Sequence, residues 1–284
     1  MIDFVHAVGQ SPFLRHALLA GLLASIACGV VGTYVVVRRI SYIAGGISHC
    51  ILGGLGAAGY YRKVYGLEWL HPYYGAVAAA LAAALVIGIV SLRAKQREDT
   101  VIGALWAIGM ATGVLFISKT PGYSEDLMSY LFGNILMVPP SDLWLIGGLD
   151  VVVLTLGLLF YNQFQAVCFD EEFARLRGVR VEFYFLLLLC LTALTVVVLV
   201  WVVGIVLVIA LLTLPVAIAG NFSRTLWQMM GLSALLTVIF TTAGSAVSYG
   251  PNLPSGGTIV VLTGAVYVIV MLGRGILARR RARA

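Results

Sequence analysis

The chain has 284 residues, of which 61% are hydrophobic and only 11% are charged. Soluble domains carry about 25% charged residues, so this chain lacks the polar side chains that a water-soluble globule needs on its surface. Composition therefore excludes a soluble enzyme or binding module and indicates an all-α, polytopic membrane protein that folds as one domain over residues 1–284. The net charge of +6 comes with a basic tail, residues 274–284, which we expect to contact lipid and not nucleic acid.

Nine apolar segments are long enough to cross a bilayer, which takes roughly 20 residues in an α-helix. Residues 183–220 are too long for one helix, so we divide them near Val203-Gly204, with Pro215 bending or shortening the second part. If 203–220 or the first segment is re-entrant, eight crossings remain, so the prediction is eight to nine. The segments are about 14–37, 40–60, 72–92, 100–118, 141–161, 183–202, 203–220, 226–248 and 257–275.

The placement of basic residues predicts the orientation, because Lys and Arg are enriched in cytoplasmic loops. With nine crossings and a cytoplasmic C-terminus, the basic residues on the outer side are only Arg15, Arg62, Lys63 and Lys119. The chain is therefore expected in the cytoplasmic membrane with its N-terminus outside. Residues 1–11 contain Asp3 and no basic residue, so we expect the first apolar segment to be retained and not cleaved as a signal peptide.

His49 lies inside the second apolar segment, where an imidazole is costly unless it faces protein or a water-filled path. On a helix, Gly45, His49 and Gly53 share a face, and glycine there lets a second helix approach closely. Imidazole is a good ligand for zinc and for other first-row divalent ions. His49 is therefore a candidate metal ligand, and the alternative is a histidine that hydrogen-bonds across helices.

Asp150 is the acidic residue that lies well inside a predicted span. A buried carboxylate must be paired, protonated or bound to a metal, and no basic residue lies mid-span as an obvious partner. Asp150 is therefore a candidate oxygen ligand or proton carrier, with a structural hydrogen-bonded carboxylate as the alternative.

Residues 165–182 form a connection that is predicted to be cytoplasmic. Within it, Asp170 is a good helix N-cap, and Gly178 can end a helix in the left-handed region. Acidic residues after the cap and basic residues before the glycine suit the helix dipole, and Phe173, Leu176 and Val179 form a small apolar edge. Such a helix can dock in a groove of a soluble partner, and an interfacial connector is the alternative. The residues predicted to contact a partner are Asp170, Glu171, Glu172, Phe173, Arg175 and Gly178.

Four stretches occur in an order that is typical of one transport family. They are Arg38-Arg39 followed by Gly46-Ile47-Ser48-His49, then Met128-Ser129-Tyr130-Leu131-Phe132-Gly133-Asn134, then Phe169-Asp170-Glu171-Glu172-Phe173-Ala174 with Gly178, and finally Leu253-Pro254-Ser255-Gly256-Gly257. Together they resemble the membrane permeases of ABC importers for divalent metals, the zinc, manganese and iron group. The resemblance covers roughly residues 13–275.

The resemblance implies an ABC importer transmembrane domain of the metal or siderophore type with no enzymatic activity of its own. It implies two permease subunits, identical or closely related, above two cytoplasmic ATPase subunits, and an extracytoplasmic metal-binding protein that delivers the ion. Residues 170–178 then correspond to the coupling helix on the ATPase, and His49 to a position that holds a metal ligand. The ion (zinc, manganese or iron) is cargo, and no cofactor is permanently bound.

One departure from the family pattern concerns the identity of the ion. Manganese-type members that this chain resembles carry an Asp four residues before the His, and here that position is Gly45. A site that relies on nitrogen fits zinc better than manganese, because manganese prefers oxygen ligands. Asp150 is a candidate replacement for the missing carboxylate.

Two other functions remain open from the sequence. A secondary transporter would use Asp150 and His49 as proton-coupling groups, although it has no need of a cytoplasmic docking helix. A membrane scaffold without transport activity is the second alternative. The chain itself lacks the G-x-x-x-x-G-K-[ST] phosphate loop, so ATP hydrolysis is expected in a separate subunit.

Overall fold

A computed structural model describes residues 12–93, 98–121, 140–251 and 253–281, and these ranges form helices without strands, which confirms the all-α prediction. The helices are α1 (Pro12–Arg38), α2 (Ser41–Tyr65), α3 (Pro72–Arg93), α4 (Glu98–Lys119), α5 (Pro140–Leu159), α6 (Tyr161–Phe169), α7 (Glu171–Leu176), α8 (Val181–Val203), α9 (Ile205–Gly220), α10 (Leu226–Tyr249) and α11 (Ser255–Arg281). Each of the nine predicted segments coincides with a helix.

The number of helices able to cross a membrane is lower than predicted. Among the described residues, six helices are long and apolar enough, or seven if α5 and α6 are one span with a 70° bend. The predicted eight to nine also counted α2, which is rich in glycine and carries His49, and α9, which has only 16 residues. The buried run Ile43–Leu52 shields α2 from lipid, so this helix does not need a fully apolar surface.

The predicted break in the long apolar stretch 183–220 is confirmed. Gly204 separates α8 from α9 with a φ of 80° and a ψ of 165°, a backbone conformation that residues other than glycine avoid. The backbone N–H of Gly204 donates to the carbonyl of Val200 and so closes α8. Pro215 lies inside α9, where it removes one backbone donor without ending the helix.

Helix α1 lies at the centre of the bundle and packs on α5, α8, α9 and α10. Helices α1 and α8 are mostly buried, whereas α4 and α11 leave most of their surface exposed. An exposed apolar helix face in such a bundle contacts lipid or a second protein chain. The bundle therefore has a buried centre and an apolar periphery, as expected for a multi-pass membrane protein.

Helix α2 packs closely on α3 and α4 through glycine. A Cβ atom on Gly56 would lie 2.7 Å from the carbonyl oxygen of Gly113, and one on Gly109 would lie 2.6 Å from the Cα of Cys50. On the opposite side, Gly54 and Gly75 are in similarly close contact. The expectation that glycines in α2 permit close approach therefore agrees with the packing, and this contact fixes the position of His49.

The glycine contact predicts a difference between two neighbouring positions in α2. Gly56→Ala should destabilise the chain by about 1–3 kcal/mol, because the added methyl group meets the α4 backbone. Gly59→Ala should be neutral or slightly stabilising, because nothing lies within 4 Å of its Cβ position and alanine favours helix. Thermal unfolding of both variants in detergent measures the difference, and equal melting temperatures would contradict the glycine contact.

Candidate functional site

His49 lies about two turns into α2, buried against α4. Its imidazole stacks on the indole of Trp106, with ring centroids 4.2 Å apart and planes inclined by 14°. Trp106 is itself only half-buried. The imidazole is therefore one aromatic layer below the surface of α4 and does not point into lipid.

The Nδ1 atom of His49 is buried and has no hydrogen-bond partner among the described residues. Its neighbours differ, since the Ser48 hydroxyl donates to the carbonyl of Gly45 at 2.7 Å and the Cys50 thiol donates to the carbonyl of Leu105 at 3.2 Å. A buried polar atom without a partner costs about 1–3 kcal/mol. Within the described part of the chain, this nitrogen therefore makes no hydrogen bond across helices.

Gly45 lies one turn before His49 on the same face of α2. A Cβ atom at this position would lie 3.2 Å from Cδ1 of Ile209 in α9 and 3.8 Å from Cζ3 of Trp106. These two side chains lie closest to a Cβ atom at position 45, and only the contact with Ile209 is tighter than an ordinary van der Waals contact. An aspartate at position 45 would require Ile209 to shift. The local packing is therefore consistent with glycine, and not aspartate, at this position.

Asp150 lies in the middle of α5, and its side chain is buried. The carboxylate is close enough to Cys28 of α1 for the two groups to interact electrostatically, and its Oδ1 has no hydrogen-bond partner among the described residues. Helix α5 packs on α1 and α8, whereas α2 packs mainly on α3 and α4. No group of three or more His, Cys, Asp or Glu side chains able to hold a metal occurs in the described ranges, so Asp150 and His49 are not part of such a cluster.

The predicted short helix between Asp170 and Gly178 is present as α7. The Asp170 carboxylate accepts a hydrogen bond of 3.0 Å from the backbone N–H of Phe173, as an N-cap does, and Gly178 has a φ of 79° just after the helix. Ala174 is buried, whereas Phe173 is 51% exposed and Leu176 is 86% exposed. The exposed apolar edge of α7 is therefore formed by Phe173 and Leu176.

Val179 does not belong to this edge, because it packs against the hydrophobic core. The other residues predicted to contact a partner differ in exposure. Glu171 is half-buried, whereas Glu172 and Arg175 are exposed and belong to the acidic first turn and the basic last turn of α7.

Two contacts near the candidate site residues escape sequence reasoning. Arg38, the last residue of α1, forms an ion pair with Glu171 at the start of α7. Trp106 covers His49 from α4. Neither partner is near the other in sequence, and no helical periodicity or spacing links them, so only the folded packing reveals these pairs. The motif at 128–134 and residues 282–284 of the basic tail lie outside the described residues.

The model of the ABC 3 transport family matches residues 10–274. A "Probable metal transport system membrane protein" of Chlamydia pneumoniae is 43% identical over 254 residues, which cover 89% of this chain and 86% of that protein. The manganese import system permease protein ScaB of Streptococcus parasanguinis is 32% identical over 268 residues, which cover 94% and 92%.

Among solved structures, PsaBC from Streptococcus pneumoniae in complex with Fab superimposes with a TM-score of 0.84. The matched chain is 30% identical, and the match covers 95% of both chains. The fold, the sequence similarity and the apolar helices therefore support the same family assignment. The chain belongs to the ABC 3 transport family and is a multi-pass membrane permease of the ABC metal-transport type.

Proposed function

We propose that this chain is the permease subunit of an ATP-driven importer that carries a divalent metal ion across the cytoplasmic membrane, and that His49 contacts the ion in transit. The observation that carries the proposal is the buried imidazole of His49, whose Nδ1 has no partner among the described residues. An ionisable side chain within a transmembrane bundle marks a functional site by default. The whole chain acts as one transmembrane domain, with the segment 165–182 facing the cytoplasm and the tail 274–284 on its surface.

The partners follow from the exposed surfaces of the bundle. Helix α7 presents Phe173 and Leu176 to solvent, and we propose that cytoplasmic ATPase subunits bind this edge. Helix α4 covers His49 and exposes its outer face, which supports contact with a second permease subunit or with lipid. An extracytoplasmic metal-binding protein delivers the ion from the other side. A transporter driven by an ion gradient has no use for α7 as a docking element, so it is not favoured.

The ion that fits the site best is zinc. Position 45 is glycine, so the carboxylate that would favour manganese is absent. The side chain of Ile209 lies beside this position. Manganese is the competing candidate, because it is the ion named for the relative from Streptococcus parasanguinis. Asp150 is a second ligand only if the helices rearrange, since in the described conformation its carboxylate is buried beside α1.

The role of His49 predicts loss of transport on its removal. His49→Ala should reduce metal-dependent uptake by roughly 10-fold or more, because loss of a group that only orients a metal ligand already costs about 10-fold. His71→Ala is the matched control, because it removes a half-buried histidine between α2 and α3 whose Nδ1 accepts a hydrogen bond of 3.3 Å from the backbone N–H of Tyr73, and it should retain uptake. Zinc uptake into proteoliposomes that contain the permease and its ATPase measures both, and wild-type uptake by His49→Ala would remove His49 from the mechanism.

The packing at Gly45 predicts the selectivity of the site. Gly45→Asp alone should impair uptake, because the new side chain meets Ile209. Gly45→Asp combined with Ile209→Ala makes room for the carboxylate and should shift the ratio of manganese to zinc uptake towards manganese. Competition uptake with both ions measures the ratio. An unchanged ratio in the double variant would contradict a site adjacent to position 45.

The exposed edge of α7 predicts an effect on assembly without an effect on folding. Leu176→Glu should weaken binding of the ATPase by roughly 2 kcal/mol, as expected for a buried anchor of an interface. The isolated Leu176→Glu chain should melt at the same temperature as the wild type, since Leu176 is 86% exposed. Leu253→Glu, at an exposed leucine on the side predicted to be outer, is the control. Co-purification of the ATPase with each variant measures the difference. Equal recovery of the ATPase with Leu176→Glu and with Leu253→Glu would contradict docking on the α7 edge.

A further inference from the structure

We infer that Arg38 is a positioning residue that transmits the movement of α7 to α2, the helix that carries His49. The inference rests on the proposed function, because it concerns how the ATPase would act on the metal path. In this proposal Arg38 binds neither the ion nor the ATPase. It acts through its contacts at the end of α1, where three helices meet.

The first contact joins α1 to α7 and α8. The Nη2 of Arg38 donates to Oε1 of Glu171, the first residue of α7. The guanidinium carbon lies 5.5 Å from the ring centroid of Phe185 in α8. Both charged side chains are partly buried, so this pair is screened less by solvent and salt than an ion pair on an open surface.

The second feature is the corner that follows Arg38. Arg39 has a φ of 63°, in the left-handed region, and its N–H donates to the carbonyl of Val36 at 3.1 Å. The N–H of Ile40 donates to the carbonyl of Val35 at 3.0 Å, so the two bonds close α1 in a Schellman-type cap. Helix α2 then begins at Ser41. Two hydrogen-bonded residues thus separate Arg38 from α2, and a tilt of the α1 terminus passes to α2 because the corner has little freedom.

The third feature ties the same half of α1 to the helices that precede α7. The hydroxyl of Tyr34 donates to the carbonyl of Gly157 in α5 at 3.0 Å, and its ring packs edge-on against Phe164 of α6 at 5.3 Å. These contacts keep α5, α6 and the end of α1 together. A push on α7 therefore reaches α1 through Glu171 and is not absorbed by the α5–α6 bend.

The distance to the site is short. His49 lies eight residues beyond Ser41, which is roughly 12 Å along a helix. Helix α2 is packed closely on α4 through glycine, so the two helices move together, and a movement at the start of α2 displaces His49 and Trp106 relative to Ile209 of α9. The Arg38–Glu171 pair therefore couples the proposed ATPase-docking helix to the stack that covers His49.

The test compares uptake with ATP hydrolysis in proteoliposomes that contain the permease and its ATPase. Arg38→Gln should lower the zinc taken up per ATP hydrolysed at least fivefold while the ATPase stays bound, and Glu171→Gln should lower this ratio to a similar extent. The charge swap Arg38→Glu with Glu171→Arg should restore at least half of the wild-type ratio. Arg38→Lys should be intermediate, because it keeps the charge and loses the planar contact with Phe185. Arg224→Gln removes an exposed arginine and is the control.

Wild-type ratios in both single variants would overturn the inference, and so would a swap that is no better than the singles. Hydrogen exchange on the purified full chain gives a second readout that does not depend on transport. Arg38→Gln should speed exchange of the amides in α7 and also in the first two turns of α2, whereas faster exchange in α7 alone would overturn the inference. If the wild-type complex takes up no metal while exchange spreads to α2, the proposed function fails and the Arg38 link stands.

Discussion

The close contact between α2 and α4 sets the position of His49, and the proposed metal site depends on it. Glycines on both helices bring their backbones together, and no larger side chain is tolerated at Gly56, Gly109 or Gly113 without a shift. This contact places the His49 ring flat against Trp106 and keeps it out of lipid. Because the helix is shielded, it can carry an imidazole and many glycines where an exposed span would need an apolar surface.

The two ends of the proposed mechanism lie on different helices that share one corner. Helix α7 offers an exposed apolar edge and is held by its N-cap, Asp170, and by the ion pair between Glu171 and Arg38. Helix α2 starts at Ser41, and only two residues separate it from that arginine. In the proposed mechanism, movement of the ATPase must reach the ion site. The ion pair between Arg38 and Glu171 and the left-handed residue Arg39 link α7 to α2 over a short stretch of backbone.

Much of the fold follows from local sequence. Bilayer thickness sets the length of an apolar segment, so each of the nine predicted segments coincides with a helix, and Gly204 marks the predicted break in the long stretch 183–220. The cap at Asp170 and the stop at Gly178 were predictable because they depend on neighbouring residues. Fewer of the described helices are long and apolar enough to cross a membrane than the eight to nine predicted, since α9 has only 16 residues and α2 is rich in glycine and carries polar side chains.

The site was predictable only in part, for a physical reason. His49 and Asp150 stand out because a polar group in an apolar segment is visible along the chain. Their surroundings are set by helices far apart in sequence, so Trp106 over His49, Ile209 beside Gly45 and Cys28 beside Asp150 carry no local signal. For the same reason the pair between Arg38 and Glu171 appears only in the folded chain.

The central claim is that the buried imidazole of His49 contacts the transported cation. X-ray absorption at the zinc edge, on the permease complex loaded with one equivalent of zinc, tests it most directly. The account predicts a nitrogen ligand at about 2.0 Å with the multiple-scattering pattern of imidazole, which is lost in His49→Ala. The same imidazole signal in both proteins, or a shell of oxygen alone in the wild type, would contradict it.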